Sequence, residues 1–130
     1  MSFVIGQGGY VCSGLNYESG QPTVYLTDLW QYNAVANAWA KKLAFPANGR
    51  AHGVGLSGLG FGYAGTGSDN SGFYRDFWKY NATSNVWTSL PNIGAARDQA
   101  GPFFIGRNIY VAGGTAGLDG LKDFWTLHFY

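Results

Sequence analysis

The sequence predicts an all-β protein, and two observations carry this prediction. The 130 residues include 21 glycines and 18% aromatic residues but only 12% charged residues, about half the ~25% of ordinary soluble chains. Aromatic residues separated by glycines favour short strands joined by tight turns, because glycine costs about 1 kcal/mol in a helix relative to alanine. The second observation is an internal repeat of about 47 residues, which is typical of proteins built from stacked, similar units.

The clearest part of the repeat is an aspartate followed by an apolar residue and a tryptophan. It occurs three times, and in the first two copies a second tryptophan follows, in the order Asp28–Trp30, Trp39, Asp76–Trp78, Trp87 and Asp123–Trp125. Because one rule places all five tryptophans, we predict that they pack in the core. We interpret Asp28, Asp76 and Asp123 as turn or cap residues at the start of a strand.

A tyrosine segment that ends in glycine precedes the aspartate in every copy. The three segments are Tyr10–Gly14, Tyr63–Gly67 and Tyr110–Gly114. Between the tyrosine and the aspartate, the first copy has five additional residues, which fall within 16–26. An insertion confined to one part of a repeat marks a surface loop. We therefore expect this segment to be exposed.

Each period predicts four short strands. An apolar strand, such as 52–57 or 101–105, is followed by the tyrosine segment, by the aspartate–tryptophan segment, and by a strand around the second tryptophan. A four-stranded unit of this kind cannot bury both of its faces alone, so neighbouring units must stack, as they do in a β-propeller. We expect units at about 1–43, 51–90 and 99–130, with the last lacking its fourth strand.

These segments together resemble the kelch repeat. The likeness lies in the glycines after an aromatic strand, in the aromatic-Trp-x-Tyr-Asn strand, in the turn before the second tryptophan, and in a proline followed by arginine. It is greatest to bacterial kelch and galactose-oxidase-like propellers, and it covers essentially the whole chain. The resemblance implies an incomplete β-propeller of about three four-stranded antiparallel blades. It implies no single activity, because propellers carry unrelated functions.

An incomplete propeller has uncovered surfaces. Closed propellers contain ~4 to 8 blades, so fewer than three complete blades leave strand edges and aromatic blade faces without neighbours. We therefore expect further propeller blades as partners, supplied either by a longer parent protein or by other copies of this chain.

The resemblance places the ligand-binding face at the loops after the second strand and at the segments between units. The candidates there are Tyr17, Arg50, His52, Asp69, Asn70, Arg97, Asp98, Gln99 and Asp119. Arg50 and Arg97 suit acidic ligands, because a guanidinium group can donate two parallel hydrogen bonds. Their recurrence favours the alternative that they hold neighbouring units together by pairing with the recurring aspartates. Tyr17 breaks the period and is the best aromatic ligand contact.

Several classes of function are not expected. A net charge of +1 without clustered cations does not favour nucleic-acid binding, and no apolar run approaches the ~18 residues of a membrane span. The N-terminus lacks the pattern of a signal peptide. His52 and His128 share no spacing, so we predict no metal site. Cys12 lies in the second strand, and the residues needed for copper oxidase chemistry cannot be mapped onto this chain.

The sequence therefore favours a non-catalytic interaction or scaffold module that binds protein or glycan through its loop face, without a cofactor. The alternative is part of a propeller enzyme that acts on sugars, either a galactose-oxidase-like oxidoreductase or a sugar mutarotase. The compartment stays open, and a secreted or cell-surface bacterial parent is compatible with the sequence.

Overall fold

The computed structural model describes residues 1–130 and contains strands but no helix. The all-β prediction is therefore confirmed. The structure also holds no helix that could cross a membrane. In chain order the strands are β1 (Ser2–Ile5), β2 (Gly8–Asn16), β3 (Val24–Asn33), β4 (Ala38–Lys42), β5 (Val54–Gly58), β6 (Phe61–Gly65), β7 (Ser68–Asp69), β8 (Gly72–Phe73), β9 (Phe77–Asn81), β10 (Val86–Leu90), β11 (Gly101–Ile105), β12 (Asn108–Ala112), β13 (Thr115–Ala116), β14 (Asp119–Gly120) and β15 (Phe124–His128).

Eleven of these strands form three antiparallel sheets in which neighbours along the chain pair with each other. Sheet I has the order β1-β2-β3-β4, sheet II the order β5-β6-β9-β10, and sheet III the order β11-β12-β15. The remaining strands form two short ribbons, β7–β8 and β13–β14, which the sequence did not predict. Each ribbon lies between the second and third strands of its sheet. The segments 43–53 and 91–100 connect one sheet to the next.

Sheet I has no separate ribbon, because β2 and β3 are longer than their counterparts. Their pairing continues to Asn16 and Val24 after a register shift between Cys12 and Gly14. Ser13 sits at this bulge with a φ of 58°, a left-handed conformation that few non-glycine residues adopt. The insertion predicted as a surface loop at 16–26 is therefore partly strand, and only 17–23 lies outside β2 and β3.

Two hydrophobic cores form where neighbouring sheets pack against each other. The first lies between sheets I and II and contains Phe3, Tyr10, Cys12, Leu29, Phe45, Ala64, Tyr80 and Trp87. The second lies between sheets II and III and contains Val54, Tyr63, Phe77, Ile93, Ile109 and Val111. Glycine allows close approach at these contacts, because a Cβ atom at Gly62 would overlap the ring of Phe3 and one at Gly58 would overlap the ring of Phe104. The cores form because each sheet covers one face of its neighbour.

The prediction that all five tryptophans are core residues is wrong for two of them. Trp87 is 8% exposed, whereas Trp39 is 56% and Trp125 is 42% exposed. Trp39 lies on the face of sheet I that points away from sheet II, where no sheet covers it. Trp125 contacts Gly94, but no aromatic ring packs on it in the way that Phe45 packs on Trp78. The repeat thus fixes the position of a tryptophan, while the neighbouring sheet determines its burial.

Candidate functional site

The recurring aspartates bind the recurring tryptophans. The indole Nε1 of Trp78 donates a hydrogen bond to Asp76 at 2.8 Å, and that of Trp125 donates to Asp123 at 2.6 Å. Trp30 donates to Asp28 in the same way. Each aspartate lies two residues before its tryptophan, inside β3 or directly before β9 and β15, a spacing that puts both side chains on one side of an extended chain. Asp76 and Asp123 directly precede β9 and β15, as predicted, whereas Asp28 lies inside β3. The carboxylates of all three accept a hydrogen bond from an indole group, which the sequence did not predict.

The recurring arginines bind two of these aspartates. The guanidinium of Arg97 donates two hydrogen bonds of 2.8 Å to Asp123, a third to the carbonyl of Gly113 at 2.9 Å, and one from Nε to Ala95 at 3.1 Å. Arg97 is fully buried. This guanidinium, followed by the indole of Trp125, lowers the pKa of Asp123 from 3.8 to about 2. We call the three residues an Asp–Trp–Arg unit.

Arg50 repeats this arrangement at the junction of sheets I and II. It donates two hydrogen bonds to Asp76, one of them 3.1 Å long, and others to the carbonyls of Thr66 and Asn48 at 3.1 and 3.0 Å. Four of the five N–H groups of each buried arginine thus bond within the chain. The guanidinium groups of Arg50 and Arg97, both candidates for an acidic ligand, are instead occupied in anchoring a connecting segment to the sheet that follows it.

Asp28 is the exception among the recurring aspartates. It accepts the indole hydrogen bond of Trp30, but no arginine, lysine or histidine lies within ion-pair distance of it. Sheet I therefore lacks the third member of the Asp–Trp–Arg unit.

A polar cluster that does not repeat lies beside Arg50. The hydroxyl of Tyr74 donates to Asp69 Oδ2 at 2.6 Å and accepts a hydrogen bond from Asn48 Nδ2 at 2.9 Å. The hydroxyl of Tyr25 donates to Asn70 Oδ1 at 3.2 Å. We call these five residues the Tyr74 cluster. It joins the first connecting segment, strand β3 and the β7–β8 ribbon.

The geometry of the Tyr74 cluster sets its electrostatics. The ring of Tyr74 lies 4.0 Å from the guanidinium carbon of Arg50, an arrangement in which a cation contacts the face of an aromatic ring. The hydrogen bond from Tyr74 lowers the pKa of Asp69, with a smaller contribution from the backbone N–H groups of Ser71 and Gly72. Desolvation raises the pKa of Tyr74, and Asp69 raises it further. Asp69 is thus a carboxylate and Tyr74 a neutral phenol at neutral pH.

A second non-repeating group lies between the two connecting segments. Asp98 is 5% exposed, and its carboxylate accepts hydrogen bonds from Ser68 Oγ at 2.7 Å and Thr115 Oγ1 at 2.8 Å. His52 Nδ1 lies 3.8 Å from Asp98 Oδ2. The backbone N–H of Gln99 donates to the carbonyl of His52 at 2.9 Å. The structure thus brings together His52, Asp98 and Gln99, which the sequence placed in two different segments.

The other candidates stand apart from these groups. Tyr17 is strongly exposed in the 17–23 loop, and Asp119 is exposed at the start of β14. No hydrogen bond or ion pair joins either side chain to another candidate. Sequence reasoning missed Asn48, Tyr25 and Tyr74. Comparison of the repeats could have found Tyr74, because the same position one period later is Leu121.

Cys12 is not accessible to solvent. It is fully buried between sheets I and II, and desolvation raises the pKa of its thiol from 9.0 to about 12. No group of three or more His, Cys, Asp or Glu side chains is arranged to hold a metal ion. His128 contacts Asn108 rather than a second candidate ligand.

Comparison with known proteins identifies the fold but no family. No family model matches the chain, and no curated protein matches it. Among solved structures, the fold is similar to that of YjhT, with a TM-score of 0.73 and 17% sequence identity over 87% of this chain and 43% of the other. The chain thus spans less than half the length of this structural neighbour. At this level of identity the similarity concerns the fold alone.

Proposed function

We propose that the three sheets are successive blades of a kelch-type β-propeller and that the chain is a non-catalytic interaction module. Two features support the propeller arrangement. Strand β1 contacts β5, and β5 contacts β11, so the first strands of the three sheets lie side by side. Each sheet then continues outward in chain order. Sheets that share an inner line of first strands and stack face to face have the geometry of blades around an axis.

The Tyr74 cluster is the observation that carries the binding function. In sheet III, the positions of Asn48, Asp69 and Tyr74 are occupied by Ala95, Ala116 and Leu121. Residues that recur in this chain join the sheets, whereas this cluster is added at one junction only. It presents a carboxylate, two amides and two phenols near the loop 17–23. Such groups recognise the hydroxyls of a glycan or the backbone of a peptide, and the aromatic rings supply apolar contact area.

The test is an array of glycans and peptides probed with the intact chain, followed by calorimetric titration of any hit. We expect Tyr74→Phe to weaken binding about 3- to 10-fold, the effect of losing one net hydrogen bond. Tyr32→Phe is the matched control, because it removes a phenol bonded to Asn37 in the β3–β4 turn. Equal binding by both variants, or no hit on either array, would contradict the proposal.

The alternative function, part of a propeller enzyme that acts on sugars, is favoured by a different observation. His52 has a half-exposed side chain next to the buried carboxylate of Asp98, and a histidine beside a carboxylate can transfer protons. NMR of sugar substrates mixed with the chain would detect oxidation or interconversion of anomers. Turnover that is lost in His52→Gln and retained in Tyr74→Phe would favour the enzyme over the interaction module.

A further inference from the structure

Each sheet presents three equivalent side chains on the face that points along the chain toward the next sheet. In every sheet the first two of these are partners across the first and second strands. The sets are Phe3, Tyr10 and Leu29 in sheet I, Leu56, Tyr63 and Phe77 in sheet II, and Phe103, Tyr110 and Phe124 in sheet III. The sets in sheets I and II lie in the two cores. The set in sheet III has no covering sheet.

We call this last surface the sheet III open face. Phe103 is 43% exposed and Phe124 is 62% exposed. Both rings stack on Tyr110, with centroid distances of 4.9 and 6.1 Å. Ile105 is also exposed on this strand. A row of three stacked rings on an antiparallel sheet is the same kind of surface that the other two sheets bury.

The opposite side of the molecule has a complementary surface. Val4, Val11, Tyr32 and Trp39 line a groove on the face of sheet I that points away from sheet II. In sheet II, the counterparts of Val11, Tyr32 and Trp39 are Ala64, Tyr80 and Trp87, which are buried against sheet I. We call this groove the sheet I open face. It corresponds to the surface that receives a neighbouring sheet elsewhere in the chain.

Side-chain sizes match between the two open faces. Gly62 of sheet II and Ile109 of sheet III are equivalent positions, each directly before the tyrosine of the second strand. Where sheets I and II meet, the large ring of Phe3 lies on the small Gly62. Where sheets II and III meet, the smaller Leu56 shares a core with the larger Ile109. The counterpart of Phe3 in sheet III is Phe103, and the counterpart of Gly62 in sheet I is Gly9. Gly9 also lines the groove, and a Cβ atom there would meet nothing within 4 Å. The ring of Phe103 therefore has a matching recess on sheet I.

We propose that the sheet III open face of one copy packs on the sheet I open face of a second copy, as sheet I packs on sheet II. The reciprocal contact then closes a two-fold dimer with six sheets. The closure rests on the propeller arrangement proposed above, because a head-to-tail contact forms a ring only when the rotation between units allows it. Val4 of one copy would meet Ile105 of the other, so that two exposed aliphatic side chains cover each other.

The exposed area is sufficient for a dimer. Six exposed apolar side chains lie on the two open faces: Val4, Val11, Trp39, Phe103, Ile105 and Phe124. At roughly 100 Å² for each, one contact buries about 600 Å². The two contacts of a closed dimer then reach the ~1,200 Å² at which stable interfaces begin. A longer protein could instead cover the sheet I open face with another repeat, whose connecting segment would supply an arginine to Asp28. That occupant and the second copy give different results in the following experiment.

The experiment measures the mass of the intact chain in solution by light scattering and native mass spectrometry over a range of concentrations. We expect a dimer of the 14.0 kDa chain. Gly9→Val fills the recess, and its Cβ atom would meet nothing of its own chain within 4 Å. Phe103→Ser removes the ring. Each substitution should raise the dimer Kd about 100-fold or more. Leu118→Ser is the control, because it changes a fully exposed apolar residue at the tip of the β13–β14 ribbon. It should leave the dimer intact.

A mixing experiment tests whether the contact is head-to-tail. The Gly9→Val chain keeps an intact sheet III open face, and the Phe103→Ser chain keeps an intact sheet I open face. When the two variants are isotopically labelled and mixed at high concentration, they should form a heterodimer that is weaker than the wild-type dimer, because only one of the two contacts remains, while neither variant dimerises alone. A monomeric wild-type chain would overturn the proposal. It would favour the alternative in which another repeat of a longer protein covers the sheet I open face and supplies an arginine to Asp28. Open chains of many copies, or a dimer unaffected by Gly9→Val, would also overturn it.

The proposed ligand binding is tested separately. The Tyr74 cluster lies within one chain, so the Gly9→Val monomer should keep any affinity measured for the wild-type chain. Failure to dimerise and failure to bind a ligand are therefore distinguishable outcomes.

Discussion

The recurring aspartates allow one substitution to be compared at equivalent positions with and without an arginine. Asp76→Asn removes the charge that faces Arg50, whereas Asp28→Asn removes a charge that faces no cation. Both variants keep an oxygen that can accept the indole hydrogen bond of Trp78 or Trp30. The difference between the two variants therefore reports the contribution of the arginine pair.

The expected magnitudes differ severalfold. Arg50 is 1% exposed and Asp76 is 27% exposed at the side chain, so Asp76→Asn leaves a buried guanidinium without its counter-charge. Breaking such a pair costs ~3–5 kcal/mol, and the partial exposure of Asp76 favours the lower end of this range. Asp28→Asn weakens only one charge-assisted hydrogen bond and should cost about 1 kcal/mol or less.

Urea unfolding followed by tryptophan fluorescence measures both free energies of unfolding. With a urea m-value of about 2 kcal/mol/M, Asp76→Asn should lower the midpoint by about 1.5 M and Asp28→Asn by less than about 0.5 M. Asp123→Asn should also lower the midpoint more than Asp28→Asn does, because Arg97 is fully buried, and less than Asp76→Asn does, because Asp123 is more exposed than Asp76. Equal shifts for Asp28→Asn and Asp76→Asn would refute the idea that the pairing of Arg50 with Asp76 stabilises the fold.

Three further predictions follow from burial and pKa. Gly62→Ala should cost ~1–3 kcal/mol by overpacking against Phe3, whereas Gly101→Ala, at an open strand position, should change the free energy of unfolding by less than about 0.5 kcal/mol; equal costs would contradict the packing described. Burial raises the pKa of the Cys12 thiol from 9.0 to about 12, so the folded state holds the thiol proton more tightly than the unfolded state. The free energy of unfolding should therefore be unaffected by this thiol below pH 9 and fall as the pH rises from 9 to 12, by at most roughly 4 kcal/mol. Cys12→Ala should remove this loss in alkaline unfolding titrations, and a thiol that reacts rapidly with Ellman's reagent in the native chain would count against its burial. Arg97 lowers the pKa of Asp123 to about 2, so the stability that this carboxylate contributes is full above pH ~4 and is lost as the pH falls toward 2. The free energy of unfolding of Asp123→Asn, measured over the same pH range, should not show this loss.

Much of the fold could be predicted because packing imposes a period on the sequence. The tyrosine and tryptophan strands are found where the repeat places them, and the segments from 52 and 101 contain the first strands β5 and β11. The ribbons could not be predicted, because strands of two residues leave no alternating pattern. The extension of β2 and β3 was also missed, since an insertion that continues a pair of strands has the same composition as a loop.

The candidate site was predicted only in part. Asp69 and Asn70 were identified, and both lie in the Tyr74 cluster, but Tyr25, Asn48 and Tyr74 were not. Their proximity depends on three segments that are distant in sequence, and spacing along the chain does not reveal such contacts. The recurrence of Arg50 and Arg97 correctly favoured a role between sheets over ligand binding, because a repeated position serves a repeated contact.

The central claim is that Trp30, Trp78 and Trp125 occupy equivalent places in three copies of one sheet unit, each bonded to its own aspartate. The exchange of indole N–H protons with solvent in the ¹⁵N-labelled chain tests this directly. We predict that these three protons exchange slowly and that the proton of Trp39, which has no acceptor and is exposed, exchanges fastest. Rapid exchange at Trp30, Trp78 and Trp125, or protection at Trp39 equal to theirs in the Gly9→Val monomer, would contradict the account.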